Sequence, residues 1–211
     1  FRFAPYAVFG SMACAAAIIP SMSTRLPFSN AADAIALVGL LATARVFIAL
    51  AAMDVGTAFG TMGARREMMV GFLAEPALLM VIFVASLISS STALPAISDA
   101  LATQTFVLYP SLAFTAVAFV LVLLAENARI PVDNPATHLE LTMIHEAMLL
   151  EYSAHHLALM EWPAALKLFN YACIGFALFV PWGIATGGVW TPFALLAALA
   201  ILGVKLAIAG A

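Results

Sequence analysis

Carboxylates and imidazoles, the side chains that most readily carry protons, gather in one segment of the chain. Residues 126–161 hold six of the eleven carboxylates and all four histidines. Partial burial and like-charged neighbours raise the pKa of a carboxyl group toward neutrality, which a proton relay needs. Together with one carboxylate further upstream, the segment predicts a proton-binding chain made of Glu75, Glu126, Asp133, Glu140, Glu146 and Glu151.

Structural ion pairs are the competing interpretation of the same charges. The arginines that could neutralise these carboxylates or order the loops are Arg45, Arg65, Arg66 and Arg129. The pairings open from the residues alone are Glu75 with Arg45 or Arg66, and Arg129 with Asp133 or Glu126. Each residue taken alone favours an ion pair, whereas the clustering favours a relay, so both interpretations stay open.

Metal and hydrolase chemistry find little support in the pattern. His138 and His145 are seven residues apart, not at the i, i+4 spacing of a helical zinc pair, and His145-Glu146 lacks the second histidine of HExxH. Cys14 and Cys173 stand alone, without the spacing of an iron–sulfur cluster or a structural zinc site. Neither a GxSxG motif nor a glycine-rich phosphate loop occurs. We expect no metal and no cofactor in this chain.

Composition places these residues in a membrane. The chain of 211 residues is 65% hydrophobic and 9% charged, whereas a soluble domain has roughly 25% charged residues. Lipid offers the backbone no hydrogen-bond partner, so each long apolar run should be a helix. The six runs are residues 3–20, 31–53, 70–90, 105–125, 165–186 and 192–209. We predict an all-α, polytopic membrane protein with about six transmembrane helices and no nucleic-acid partner.

The loops between the runs differ in charge. Residues 54–69 and 126–164 hold most of the ionisable residues, whereas the other loops are short and nearly uncharged. Six antiparallel passes place these two loops on one side, and the positive-inside rule assigns their arginines to the cytoplasm. Glycines at helical spacing in the first loop should let helices approach closely: Gly56, Gly60 and Gly63.

The long acidic loop should contain an amphipathic helix. Asn134 followed by Pro135 is a typical helix start, because Asn caps the first turn and Pro suits its first position. The helix is predicted to run to about Tyr152. Eleven residues, about three turns, separate Glu140 from Glu151, so the two would share a face. The companions of these residues are apolar, which indicates packing on the bundle and on another protein.

Ionisable side chains also lie inside the apolar runs. Arg45 is deep in the second run, Glu75 lies just before Pro76 in the third, and Lys205 is in the last. A charge near the bilayer centre costs a few kcal/mol at least, so it usually faces a cavity, a partner or a proton route. Pro76 frees a backbone carbonyl beside Glu75 and favours a kink there.

Several stretches resemble the membrane-anchor subunit of energy-converting NiFe hydrogenases. AENARIPVDNPATHLEL at residues 125–141, with EYS at 151–153, is similar to the cytoplasmic motif of the formate hydrogenlyase subunit 4 and hydrogenase-4 type. More distantly it is similar to subunit 1 of respiratory complex I. The third-loop signature of the family resembles DVGTAFG at 54–60, GARRE at 63–67 and AEP at 74–76, and RFAPY at 2–6 looks like the start of its second helix.

Two departures separate the chain from complex I. Val132 stands where the complex I subunit has Phe, and the spacing from Glu140 to Glu151 is three residues longer. Both favour the hydrogenase branch. The family fold has about eight helices, so we expect residues 1–211 to be one transmembrane domain of a longer protein, without the first and last family helices.

The resemblance implies a subunit in the bacterial cytoplasmic (inner) membrane that connects a soluble redox arm to a membrane arm. Its partners would be NiFe hydrogenase large and small subunits and iron–sulfur subunits on one side, and antiporter-like membrane subunits on the other, with every redox centre in the partners. By that resemblance, Glu75 and Glu126 of this chain would start the proton path. Arg129 and Asp133 would shape the loop. Glu140 and Glu151 would line the cavity that faces the soluble arm. Weaker candidates for the same cavity are His138, His145 and Glu146.

Two other functions remain to be separated from this one. A quinone-site subunit of an NADH dehydrogenase would show quinone-dependent activity. A self-contained secondary transporter would move ions alone and often shows paired broken helices in two related halves. Pro76 could break one helix, but no matching half is visible in the sequence.

Overall fold

The computed structural model describes residues 2–21, 23–24, 31–103, 110–129, 132–133, 144–182, 184 and 192–210. Within these ranges the chain forms helices and no strand, and an isolated bridge pairs Asp33 with Ala93. The helices are α1 Ala4–Ile18, α2 Ala34–Val55, α3 Ala58–Ser89, α4 Leu94–Thr103, α5 Pro110–Glu126, α6 His145–Leu149, α7 Ala154–Phe179 and α8 Pro192–Gly210. The all-α prediction is confirmed.

Three helices, α2, α3 and α7, are long and apolar enough to cross a membrane. Shorter apolar helices lie in Ala4–Ile18, Pro110–Glu126 and Leu196–Ile208, so each of the six predicted runs contains a helix. The chain is a membrane protein built from these helices. The predicted loop at residues 91–104 contains α4 instead of remaining irregular.

Two helices begin well before their apolar runs. α3 starts at Ala58 and α7 at Ala154, whereas the runs begin at residues 70 and 165. Hydropathy marks only the part of a helix that lies in an apolar environment, while the backbone bonds continue past it. At about 1.5 Å per residue α3 is roughly 48 Å long, more than the ~30 Å hydrocarbon core, so some of its turns lie outside that core.

Local signals fix the turn between α2 and α3. Gly56 ends α2 with a φ of 74°, a left-handed conformation that glycine adopts without strain. The Thr57 hydroxyl then caps α3, accepting from the Gly60 N–H at 3.3 Å. This tight connection sets α2 and α3 side by side, and Pro76 lies inside α3 without ending it.

The core lies between α1, α2, α3 and α7. α2 packs on both α1 and α3, α1 packs on α7, and α5 covers α3. The largest fully buried side chains include Leu37, Leu78, Ile82, Tyr171 and Ile174. The tightly packed face of α2 carries alanines and leucines, so the helix axes come close enough for a charged side chain to reach across two neighbours.

The acidic loop differs from its prediction where the structure describes it. α6 ends at Leu149, and the chain turns through residues 150–152 before α7, so the predicted helix stops three residues early. The turn is required because α7 begins at Ala154, and the buried Tyr152 ring anchors it. Glu151 is therefore in a turn and not on a helical face. The start of the predicted helix, with His138 and Glu140, lies outside the described residues.

Gly63 brings α6 onto α3, which confirms the close approach predicted there, whereas a Cβ on Gly56 would meet no atom within 4 Å. A Cβ on Gly63 would lie 3.0 Å from the Ile144 carbonyl oxygen and 3.2 Å from Cγ of Met148. A Cβ on Gly60 would lie 2.8 Å from the Thr57 hydroxyl oxygen. The close approach of α6 is possible because Gly63 carries no side chain, whereas Gly60 leaves room for the Thr57 cap and for the Ala52 carbonyl oxygen of α2, 3.1 Å from the same hypothetical Cβ.

Candidate functional site

The Arg45 side chain joins three carboxylates near one end of the bundle. It is 4% exposed, and its Nη1 donates to Oε1 of Glu75 at 2.9 Å. Its Nη2 donates to Oε2 of Glu126, and its Nε lies 3.4 Å from Oε1 of Glu67. The guanidinium thus connects α2 to α3 and α5 through charged groups. A planar fork of five N–H donors suits this multiple role better than an ammonium group.

Lys167 of α7 completes the arrangement. Its Nζ lies 3.2 Å from Oε2 of Glu126 and 4.0 Å from Oε1 of Glu67. Five charges from four helices therefore meet, and we name them the ion cluster: Arg45, Glu67, Glu75, Glu126 and Lys167.

Helical spacing explains how α3 supplies two of these carboxylates. Glu67, Gly71 and Glu75 are four residues apart in turn, so they form one stripe of the helix. Arg45 crosses that stripe at the glycine: a Cβ on residue 71 would lie 2.7 Å from Cδ of Arg45 and 2.9 Å from its Cζ. The missing side chain leaves the passage through which the guanidinium reaches α5.

The buried carboxylate of Glu126 is the centre of the ion cluster. Its side chain is fully buried, and one oxygen, Oε2, receives both Arg45 and Lys167. The other oxygen, Oε1, makes no hydrogen bond of acceptable geometry to the described residues. A buried charge needs partners, and two cations supply them here. Oε1 is the oxygen of this carboxylate that could receive a proton, next to the buried Tyr171 hydroxyl, which interacts with the same side chain.

Two cavities lie beside the ion cluster. The inner cavity has a volume of about 60 Å³, and the ion-cluster residues that line it are Glu67, Glu126 and Lys167. The outer cavity, of about 420 Å³, is lined by Arg129, Asp133 and Glu146 among others. Both volumes exceed the 10–15 Å³ or so that one water needs. The residues that line both cavities are Asn127, Ala128, His145 and Ala164.

Asp133 fixes the position of His145. Its Oδ2 accepts from the backbone N–H of Ile144 at 2.9 Å and from that of His145 at 3.4 Å, so it caps α6. The pKa of His145 is lowered, first by burial and then by the charge of Lys167. A neutral imidazole therefore stands between the two cavities at neutral pH.

The structure places most of the predicted site residues in two groups. Glu75 and Glu126 belong to the ion cluster with Arg45, which confirms the Arg45–Glu75 pairing left open from sequence. Around the outer cavity lie Arg129, Asp133, His145 and Glu146. The exposed Arg129 forms no ion pair with Asp133 or Glu126 in the described part of the chain, so that alternative is wrong.

The remaining predicted residues stand apart from both groups. Arg65 and Glu151 are exposed, and Arg66 is half-buried outside the ion cluster. His138 and Glu140 lie outside the described residues. Among the residues described, no group of three or more His, Cys, Asp or Glu side chains could hold a metal ion.

Sequence reasoning missed Glu67 and Lys167 as site residues. The signal for Glu67 was its spacing of eight residues from Glu75 with a glycine midway, a stripe that faces the core. Lys167 lies four residues after Pro163 and four before Tyr171, both of which are buried on α7. A lysine on the buried stripe of an apolar helix needs an anionic partner, and that partner is Glu126.

Comparisons with known proteins identify the family of this chain. The profile of the NADH dehydrogenase family matches residues 1–209. The chain is 38% identical over 184 residues to hydrogenase-4 component C of Escherichia coli (strain K12), covering 87% of this chain and 57% of that protein. It is 34% identical over 212 residues to formate hydrogenlyase subunit 4 of the same organism, covering 99% and 66%. The chain thus spans less than two thirds of either relative.

The fold also matches a solved structure. A chain of the membrane-bound sulfane sulfur reductase, an archaeal respiratory membrane complex, superposes with a TM-score of 0.74 at 24% identity. The match covers 96% of this chain and 64% of that one, and it shows a shared fold. Together with the family profile, these relatives confirm the resemblance that residues 125–141 and the other quoted motifs carried. The chain belongs to the NADH dehydrogenase family.

Proposed function

We propose that this chain is a membrane subunit of a formate hydrogenlyase- or hydrogenase-4-type complex. In that role it joins a soluble NiFe hydrogenase arm, with its iron–sulfur subunits, to antiporter-like membrane subunits, and it couples electron transfer to the movement of protons or sodium ions. The redox centres belong to the partners, so the chain is no enzyme by itself. It would cross the bacterial inner membrane about six times as one transmembrane domain, with the 126–164 loop in the cytoplasm.

The observation that carries this proposal is the ion cluster, three of whose side chains line the inner cavity, which shares lining residues with the outer one. Charges in a low-dielectric bundle interact far more strongly than in water, so a small displacement of one partner changes the proton affinity of the others. Glu126 is held by α2 and α7 cations at once. A movement of the acidic loop on the cytoplasmic side would therefore change the proton affinity of charged groups on all four helices.

The surface near the outer cavity supports docking of a partner. α6 packs on α3 through its buried residues Ala147 and Met148, while Leu150, just after it, is 63% exposed. Glu146 of the same helix lines the outer cavity, so this part of the acidic loop offers a partner both an apolar and a charged side chain. The hydrogenase names of the two relatives favour a hydrogenase arm as that partner.

A quinone-site subunit of an NADH:quinone oxidoreductase is the alternative from the same family. The two relatives named for hydrogenases favour the first function over this one. The two functions differ in the electron acceptor: protons, giving hydrogen, in one case and a quinone in the other.

The first experiment is a gentle-detergent purification of the full-length protein with its partners. We expect NiFe hydrogenase and antiporter-like subunits in the mass spectrum, and hydrogen evolution driven by formate or ferredoxin. Copurification of NADH-oxidising subunits with quinone reductase activity and no hydrogen would support the alternative. A protein that purifies alone and moves ions alone would contradict both and indicate a transporter.

The second experiment tests coupling. In proteoliposomes, Glu126→Gln and Glu75→Gln should keep hydrogen evolution while ion movement per hydrogen falls, because a neutral amide cannot bind and release the cation. Glu161→Gln is the matched control, since Glu161 is an exposed carboxylate on α7 away from the ion cluster. Unchanged ion movement in both cluster variants would contradict a coupling role.

A further inference from the structure

We propose that His145 passes protons between the outer cavity and the ion cluster. This inference rests on the proposed function, because it names the residue through which the coupled protons enter or leave. It concerns a side chain outside the charged network itself, at the first position of a short helix in the acidic loop.

The two cavities meet at His145. Of the four described residues that line both volumes, Asn127, Ala128 and Ala164 have no side chain that titrates, so within the described part of the chain the imidazole of His145 is the shared group that can bind a proton. The inner cavity also contacts Glu67, Glu126 and Lys167, whereas the outer one contacts Asp133 and Glu146. A proton that crosses from one volume to the other therefore meets His145.

Packing holds the imidazole at this junction. The cap from Asp133 fixes the backbone of His145, and the contact of Gly63 with Ile144 and Met148 fixes α6 against α3. The imidazole is half-buried, so it is accessible from the outer cavity while still lying within the protein. A relay group needs this combination of a fixed position and access from two sides.

The proton transfer is balanced without any redox partner. A hydronium ion in the outer cavity gives its proton to the free nitrogen of the neutral imidazole and becomes water. The imidazolium then gives the proton on its other nitrogen, directly or through water, to a carboxylate oxygen of the ion cluster, such as Oε1 of Glu126. His145 returns to the neutral form, as the other tautomer, and ring rotation or proton exchange restores the first.

The charges that act on His145 come from four parts of the fold. Lys167 faces it from α7, Glu67 from α3, Asp133 from the preceding loop and Glu146 from α6 itself. Burial and Lys167 lower its pKa, whereas the three carboxylates raise it. The net lowering keeps the imidazole neutral at rest, so it takes a proton only briefly and passes it on.

The test uses the intact complex in proteoliposomes, with hydrogen evolution and proton movement measured together over a range of pH. In His145→Gln we expect hydrogen evolution to continue while proton movement per hydrogen falls about tenfold or more, as on removal of a proton-transfer group. The matched control is His155→Gln, because His155 is exposed and contacts Tyr6 instead of either cavity. It should behave as the unmodified complex.

Chemical rescue separates proton transfer from a structural role. In His145→Ala the outer cavity gives added imidazole access to the gap, so millimolar imidazole should restore proton movement, with a pH profile that follows the pKa of the added base. Failure of imidazole to rescue, or unchanged coupling in His145→Gln, would overturn the relay while hydrogen evolution and partners still support the proposed function. Movement of sodium with no proton movement would also overturn it.

Discussion

Arg45 fills the space that a side chain on residue 71 would occupy. The hypothetical Cβ of Gly71 overlaps the guanidinium of Arg45, so the two positions cannot both carry bulk. One glycine on α3 thus determines whether α2 can reach α5.

Gly71→Ala should therefore displace Arg45 and lower stability, although alanine is the better helix former. We expect a loss of about 1–3 kcal/mol, the usual result of overpacking a tight interior. Thermal unfolding of the purified protein in detergent measures it. Gly39→Ala is the control, because a Cβ at that position meets no atom within 4 Å. A Gly71→Ala protein as stable as the control would show that Arg45 has another route.

Arg45→Met should cost more, because it leaves buried carboxylates without their main partner. Breaking a buried pair by removing one member costs about 3–5 kcal/mol. The double variant Arg45→Met with Glu126→Met should recover part of the loss, since the unpaired charge is removed as well. The free energies of unfolding of the single and the double variant are measured and compared. An exposed arginine, Arg65→Met, serves as the control.

Asp133→Ala should release the start of α6. The carboxylate accepts from the two backbone N–H groups at that end, and losing such a cap costs about 0.5–2 kcal/mol. We expect faster hydrogen exchange in residues 144–149 while the amides of α2 and α3 keep their protection. Glu151→Ala, which removes an exposed carboxylate from the nearby turn, should leave exchange unchanged. Equal protection in both variants would contradict the capping role.

The docking of α6 should weaken in acid because of His145. The pKa of this residue is lowered in the folded chain from an ordinary value of 6.5, so the undocked loop binds a proton more readily than the docked one. The stabilisation is fully present above pH 6.5 and falls as the pH drops from there through the folded pKa. Hydrogen exchange of residues 144–149 between pH 5 and pH 8 tests this in the unmodified protein.

His145→Gln should flatten that pH dependence, because glutamine does not titrate in the range. A variant that keeps the full acid response would assign the effect to another group. His156→Gln provides the comparison, since its ring packs edge-on against Tyr6, far from the outer cavity lining.

The sequence predicted the helices well because lipid allows a buried backbone few alternatives. Each apolar run became a helix, and the charges at Arg45, Glu75 and Glu126 stood out because apolar neighbours surround them. The contact of these three side chains with one another could not be predicted, because it depends on which faces of α2, α3 and α5 pack together. Pairwise contacts across helices are set by packing, and a single sequence records that packing only through small residues such as Gly71.

Glu67 and Lys167 show where that reasoning stops. Both lie on the parts of α3 and α7 that precede the apolar runs or only just enter them, so they resembled ordinary loop charges. The part of α3 that precedes its run brings Glu67 to Arg45 and Lys167, and the first turn of the α7 run brings Lys167 to Glu126. The end of α6 was mispredicted for a related reason, because the length of a helix in a loop is set by where the next helix must begin.

The ion cluster contains three carboxylates and two cations, which leaves one negative charge when all are ionised. A single additional cation would neutralise it. Any cation that reaches the cluster from the aqueous phase crosses part of the transmembrane electric field, which acts on each elementary charge with up to about 2.3 kcal/mol per 100 mV. The occupancy of the cluster, and with it the ion movement proposed for this chain, should therefore depend on voltage.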